Sequence, residues 1–527
     1  MRQPTSKQRP QKVQTANFPA PIGGWIANRA LANGRQAGSA PGAAVLDNFF
    51  PTSTGVVLRR GTEMRYSIGS APVRSMFRYV SGGQSELFAS IDGEIFDVST
   101  STPSSVYTDG TNGDWRVQQI TTAGGTFLVG VNGVDDPWIY DGTTWSALSV
   151  TMPAEMSDYT PADFSHVYLY ANRLWFVIRD TMNVVYTQIS SIAGELTWLP
   201  VNASFTYGGS ILFGQSWSLS SGSAGGLGDQ MVLVSTEGEV IAFQGQNPAD
   251  ATSWGLVGRY RIGEPMGAKA FVRAGGDLLI ATTVGLVSLA EAAKRDYAAL
   301  ATTAASYPIE EAWTDAVRTR GTNDWRCIIW PESKMLVVSP PNDLNSTPVC
   351  LVANSNTGAW CRFTYWDAAS MEIFNGQLHY GDMNGNLWVA NVSGNDNGNP
   401  YTGVCVPLFE DLGSPATRKV ARNASATKRS RTRAREKLTA TFDFNTKLPP
   451  APDAAETDDQ SVWGTGVWGT SLWGEDQGEL VTGRWVALGG SGRDVSVAFQ
   501  VSSNSISPLD VEIIRVVATF EICGVIS

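Results

Sequence analysis

Short apolar strands that meet a glycine-containing turn and a second strand, often followed by tryptophan or tyrosine, recur along most of this chain at a spacing of roughly 40 to 50 residues. The units include LFASIDGEIFDV (Leu87 to Val98), FLVGVNGVDDPWIYDGTTW (Phe127 to Trp145), and VYLYANRLWFVI followed by VVYTQISSIAGELTWLP (Val167 to Pro200). They continue with MVLVSTEGEVIAFQG (Met231 to Gly245), DLLIATTVGLVSL (Asp277 to Leu289), MLVVSPPNDLNSTPVCLVANSNTGAWCRF (Met335 to Phe363) and IFNGQLHYGDMNGNLWVANV (Ile373 to Val392). One such hairpin cannot bury both faces alone, and packing blade against blade around an axis supplies the missing apolar contacts. The expected fold is therefore mostly β: a β-propeller-like array of six or seven blades with insertions, plus a C-terminal β-strand module. Stacked β-sandwiches are the alternative architecture. Insertions are expected at the glycine- and serine-rich Tyr207 to Asp229 and at Ala290 to Ala305, which reads as a helix.

With 527 residues the chain exceeds what one hydrophobic core usually serves. Its 54 glycines, 10% aromatics and only 17% charged residues suit tight turns between aromatic-rich strands. The expected order is a flexible arm over residues 1–20, an opening hairpin and platform strands over 21–70, and the propeller over 71–395. A basic insertion loop with flanking strands follows over 396–445, and a linker, a tryptophan ladder and closing strands over 446–527. In the ladder, VWGTGVWGTSLWG, Trp463, Trp468 and Trp473 recur every five residues among glycines, which is neither helix nor strand periodicity. They are candidate interface residues, because tryptophan is enriched among energetic anchors; self-packing is the alternative. The final segment, through DVEIIRVVATFEICGVIS, alternates apolar positions as strands do.

The formal charge is −11, yet Arg418 to Lys437 holds nine basic residues and one acid, a local charge of +8 that leaves −19 for the rest. An acidic body disfavours tight wrapping of nucleic acid. The basic run, with Arg429, Arg431, Arg433 and Arg435, is expected to be an exposed loop docking on an acidic neighbour, and it lacks the interleaved aromatics that stack single-stranded bases. No stretch of about 18 apolar residues and no secretion signal is visible, so a cytoplasmic origin without a membrane-spanning segment is expected.

Catalytic chemistry finds little purchase. His166 and His379 are the only histidines and neither has a nucleophile motif around it. Asp92, Glu94, Asp135, Asp136 and Asp141 are candidates for glycosidase carboxylates, but they sit in turn sequences where aspartate serves the backbone. Asp382, Asn384 and Asn386 have EF-hand-like spacing without the downstream acidic ligand, which favours a hairpin turn. The five cysteines, Cys327, Cys350, Cys361, Cys405 and Cys523, show no metal or disulfide spacing and read as reduced thiols. No enzyme activity, cofactor or metal is expected.

Several segments taken in order resemble the tail nozzle proteins of short-tailed bacteriophages, also called tail tubular protein B, and the related podovirus tail stabilisation proteins. They are GGWIANRALA with AAVLDNFFPTSTGVVLRRG, FLVGVNGVDDPWIYDGTTW, ANRLWFVIRDTMNVVYTQI with its later TWLP, and the tryptophan ladder before DVEIIRVVATFEICGVIS. The resemblance implies a virion tail protein that forms a homohexameric tube below the portal and adaptor. Double-stranded DNA would be ejected through its lumen without sequence-specific binding, and tail fibres are possible partners. A negative lumen would keep the duplex from being trapped. The competing function is a virion carbohydrate-binding or hydrolysing propeller; a cytoplasmic scaffold propeller is a third.

Overall fold

The computed structural model describes residues 12–27, 40–218, 228–250, 252–342, 347–430, 434–454 and 480–525. The chain divides into two compact units, one made of Met1–Glu63, Leu351–Thr364 and Ala390–Ser527 and the other of Met64–Cys350 and Tyr365–Val389. The expected division by consecutive segments differs from this, because the first unit is assembled from three separated stretches.

The second unit is a β-propeller. Four sheets of four strands each, over Val73–Tyr107, Arg116–Ala147, Phe164–Pro200 and Ile211–Arg261, follow one another along the chain. A three-stranded sheet over Phe271–Ser288 comes next, and the last blade joins Ser370–Phe374, Gln377–Gly381 and Asn386–Ser393 to Gly61–Ser67 from the start of the chain. These are six discrete blade sheets. The hairpin Arg326–Trp330/Met335–Ser339 stands between the fifth and the last, its inner strand packing on Phe271–Ala274 and on Ser370–Phe374. Capture of an early strand by the last blade closes the ring.

Burial shows why the hairpin repeat demands this arrangement. The second strand of the third blade, Arg173–Ile178, is buried at all six positions, as a strand must be when both faces lie against neighbouring blades. Each apolar cluster draws on two adjacent blades. Phe77 and Phe88 of the first meet Trp138 and Tyr140 of the second, and Tyr168 and Trp175 of the third meet Met231 and Ile241 of the fourth.

Of the two expected insertions, the first differs from expectation and the second is helical as read, in short pieces. Tyr207 to Asp229 contains the inner strand Ile211–Ser218 of the fourth blade: its apolar content (ILFGQSW) suffices for a strand, and residues 219–227 lie outside the described residues. Ala290 to Ala305 holds short helices, Leu289–Ala292 and Leu300–Thr303, and is followed by the longer helix Glu310–Arg320. These helices pack on the outer strand Gly285–Ser288 of the three-stranded blade, where a fourth strand would lie. Trp313 anchors the longer helix by donating its indole N–H to the Thr282 carbonyl at 2.9 Å.

The first unit is built on two sheets. In one, Trp360–Thr364, Ala43–Asp47, Tyr401–Pro407, Val495–Ser503 and Glu436–Phe442 lie side by side. In the other, Thr417–Ser430 and Glu512–Val525 run antiparallel over 14 residues each, with Lys12–Pro19 paired on the far side of Glu512–Val525. Phe49 of this second sheet meets Phe499 of the first edge-on at 6.0 Å. Arg59, only 2% exposed, is the polar centre of the unit. Its guanidinium forks onto Asp396 at 2.9 and 2.7 Å, its Nε donates to Asn48 Oδ1 at 2.8 Å, and it lies 4.2 Å from the Tyr401 ring centroid.

Candidate functional site

The basic run is not a loop. Thr417–Ser430 is an interior strand of its sheet, flanked by Glu512–Val525 on one side and by Leu480–Thr482, Trp485–Ala487 and Ser491–Gly492 on the other. Its alternation explains the correction: Lys419, Ala421, Ala424, Ala426 and Lys428 are buried while Arg418 and Arg422 point outward, and small alanines let a charge-rich sequence pack as a strand. Lys419, Arg422, Lys428 and Arg429 find partners within the unit. Lys419 gives its ammonium protons to the carbonyls of Ser414 and Arg493, both at 2.7 Å, and its burial lowers its pKa. Lys428 pairs with Glu436, Arg422 with Glu521, and Arg429 with Glu512 at 3.2 Å. Arg435 is exposed. Arg431 and Arg433 lie outside the described residues, as do Trp463, Trp468 and Trp473.

The outermost strands of this sheet are apolar where water meets them. Val481 is 61% exposed, Trp485 55% and Val486 38%, and at the opposite edge Val13 is 60% exposed. Edge strands with exposed apolar side chains invite pairing with another chain.

In the propeller, the turn carboxylates serve the backbone. Asp382 accepts from the Asn384 and Asn386 amides at 2.8 Å and from the Trp388 indole at 2.9 Å. Asp135 accepts from Thr111, Asn112 and Asn132, which lowers its pKa against burial. Asp141 caps the Thr143–Thr144 turn. A groove of about 770 Å³ lined by Tyr107, Trp138 and Trp145 also holds Asp109, Asp135 and Asp136. His166 is buried, its Nε2 3.1 Å from the Gly214 carbonyl, and burial pushes its pKa down to about 3; burial also lowers that of His379, to about 4.

The inner strands of the blades surround a cavity of about 260 Å³ with a charged wall that was not among the expected sites. Its Arg116, Lys269 and Arg326 share one carboxylate, Asp114, with Lys269 Nζ at 2.8 Å, Arg116 Nη2 at 2.9 Å and Arg326 Nη2 at 3.4 Å. Burial alone would raise the Asp114 pKa, but Lys269, Arg116 and Arg326 together hold it far below the ordinary carboxylate range. Lys269 is driven down to about 7 by burial and by the two guanidiniums, despite Asp114. These groups come from distant parts of the chain, yet there was a signal: TNGDWR (Thr111 to Arg116) and TNDWR (Thr322 to Arg326) repeat one pattern. Each opens an inner strand, with Trp115 and Trp325 buried beneath it.

Glu372, on the same wall, faces Arg78 at 3.6 Å, and burial raises its pKa to about 7. The folded state therefore holds a proton that the unfolded state loses near the ordinary glutamate value of 4.5, so this group erodes stability as pH rises from there to about 7. Glu372→Gln should stabilise the protein by roughly 1–3 kcal/mol at pH 8 and leave it unchanged at pH 4, as read from urea unfolding at the two pH values.

Among the described residues no helix is long and apolar enough to cross a membrane, and no group of metal-ligating side chains gathers. The sequence matches no family model and no curated protein. Among solved structures the chain is similar to the extracellular domain of a putative hybrid two-component system from B. thetaiotaomicron, at 11% identity and a TM-score of 0.40. That match covers 63% of this chain and 41% of the other.

Proposed function

We propose that this protein is a structural, non-enzymatic component of a short-tailed phage tail, forming a homohexameric tube below the portal and adaptor through which genomic DNA is ejected. The sequence resemblance suggests the setting; the observation that carries assembly is the sheet of the first unit. One edge exposes Val481, Trp485 and Val486 and the other exposes Val13, so one sheet offers two different edges. A contact of one edge with the other on the next copy is head-to-tail, and such contacts close into rings when the rotation allows. The charges of the strand between the edges find partners within the unit, Lys428 on Glu436 and Arg422 and Arg429 on Glu521 and Glu512, which leaves the apolar edges as the adhesive surfaces. The adaptor, and fibres if they attach here, would meet the assembled ring.

Trp485→Ser combined with Val481→Thr should weaken self-association at least tenfold, which is about 1.4 kcal/mol, with an unchanged melting temperature. Sedimentation across a concentration series reads the first and calorimetry the second. Self-association of undiminished strength in that variant would remove these edges from the interface. The carbohydrate-binding alternative draws on the groove of Tyr107, Trp145, Asp109 and Asp136, since aromatic faces beside carboxylates suit sugars; saturable glycan binding by the isolated chain would favour it.

A further inference from the structure

We propose that the central cavity of the propeller is a binding site for a small oxyanion, held between Arg116, Lys269 and Arg326. Three permanent or potential cations converge there on a single carboxylate, Asp114. Two further carboxylates stand nearby: Asp324, 55% exposed, pairs with Arg326 at 3.7 Å, and Glu372 faces Arg78. With Lys269 protonated, three cations against Asp114 and the exposed Asp324 leave one positive charge over, in a recess where burial makes uncompensated charge costly.

Donor capacity points the same way. Arg116 Nε is buried and has no hydrogen-bond partner among the described residues, although its Nη1 and Nη2 are spent on the Asp114 carbonyl and carboxylate. A buried guanidinium N–H left unpaired is unusual in a folded protein, and a ligand oxygen would satisfy it. Lys269 is held in position by Ser75 Oγ at 2.9 Å and Asp114 at 2.8 Å, which preorganises the ammonium rather than leaving it to search for a partner. The cavity is large enough for several waters or for an ion of the size of phosphate or a dicarboxylate. Planar guanidiniums match the oxygen pairs of both.

The test is calorimetric titration of the full chain at constant ionic strength, with inorganic phosphate as one probe and malonate as the other. One saturable site per chain is expected for at least one of them, and whichever binds assigns the phosphate or the carboxylate class. Arg116→Gln should weaken that binding at least tenfold. Asp114→Asn keeps all three cations and removes the internal competitor, so it should bind at least tenfold more tightly, and the ion should restore the melting temperature that this substitution lowers. Absence of saturable binding of both probes to wild type and to Asp114→Asn would overturn the proposal, as would unchanged affinity in Arg116→Gln. Self-association is a separate readout, so failure here leaves the tail assignment intact.

Discussion

Arg59→Met is expected to destabilise the first unit by about 3–5 kcal/mol, because it strips the partner from a buried ion pair and leaves the other charge behind. Asp396 is held by both guanidinium nitrogens, and the same side chain ties Asn48 and the Thr364 carbonyl to it. These contacts join the start of the unit to stretches hundreds of residues away in sequence, Thr364 at a separation of 305 from Arg59 and Asp396 at 337. Urea unfolding followed by tryptophan fluorescence measures the loss. The double variant Arg59→Met/Asp396→Leu should recover part of it, since no lone charge then stays buried. If the double variant is no more stable than the single one, the hydrogen bonds to Asn48 and Thr364 carry the effect instead of the charge pair.

A loss of similar size, about 3–5 kcal/mol, is expected for Trp138→Ala in the propeller. Trp138 is fully buried between the first two blades, with ring centroids of Phe77, Trp115 and Trp145 at 5.5, 5.7 and 4.7 Å. Gly130 on the neighbouring strand makes room for it: a Cβ there would sit 2.2 Å from the indole, so the large ring and the missing side chain are one packing solution. Trp138→Phe should cost far less, under about 1.5 kcal/mol, because the Trp138 indole N–H finds no partner among the described residues and its removal deletes an unsatisfied donor. Equal losses for the two substitutions would show that ring volume at this position does not hold the blades together.

The propeller was legible because its signal is local. A hairpin such as LFASIDGEIFDV states its strands, turn and apolar faces within a dozen residues, and repetition then specifies the packing. Closure was not legible, since the strand Gly61–Ser67 that completes the last blade lies more than 300 residues before its partner Asn386–Ser393. The basic strand misled for a different physical reason. Nine cations in twenty residues look solvated, and only the alternating alanines at 424 and 426, together with distant Glu436, Glu512 and Glu521, make a buried strand possible. The cavity charges were the hardest to see, because Asp114, Lys269 and Arg326 meet only once the ring has formed; the paired Asp-Trp-Arg motifs were visible, but their convergence is a property of the closed fold.

The most direct measurement of the central claim is the mass and symmetry of the purified chain, by light scattering and negative-stain imaging, alone and with portal–adaptor complexes. The expected result is a sixfold ring, or a monomer that becomes sixfold on the adaptor. A monomer that ignores the adaptor and binds glycans would contradict the assembly and favour the carbohydrate-binding propeller.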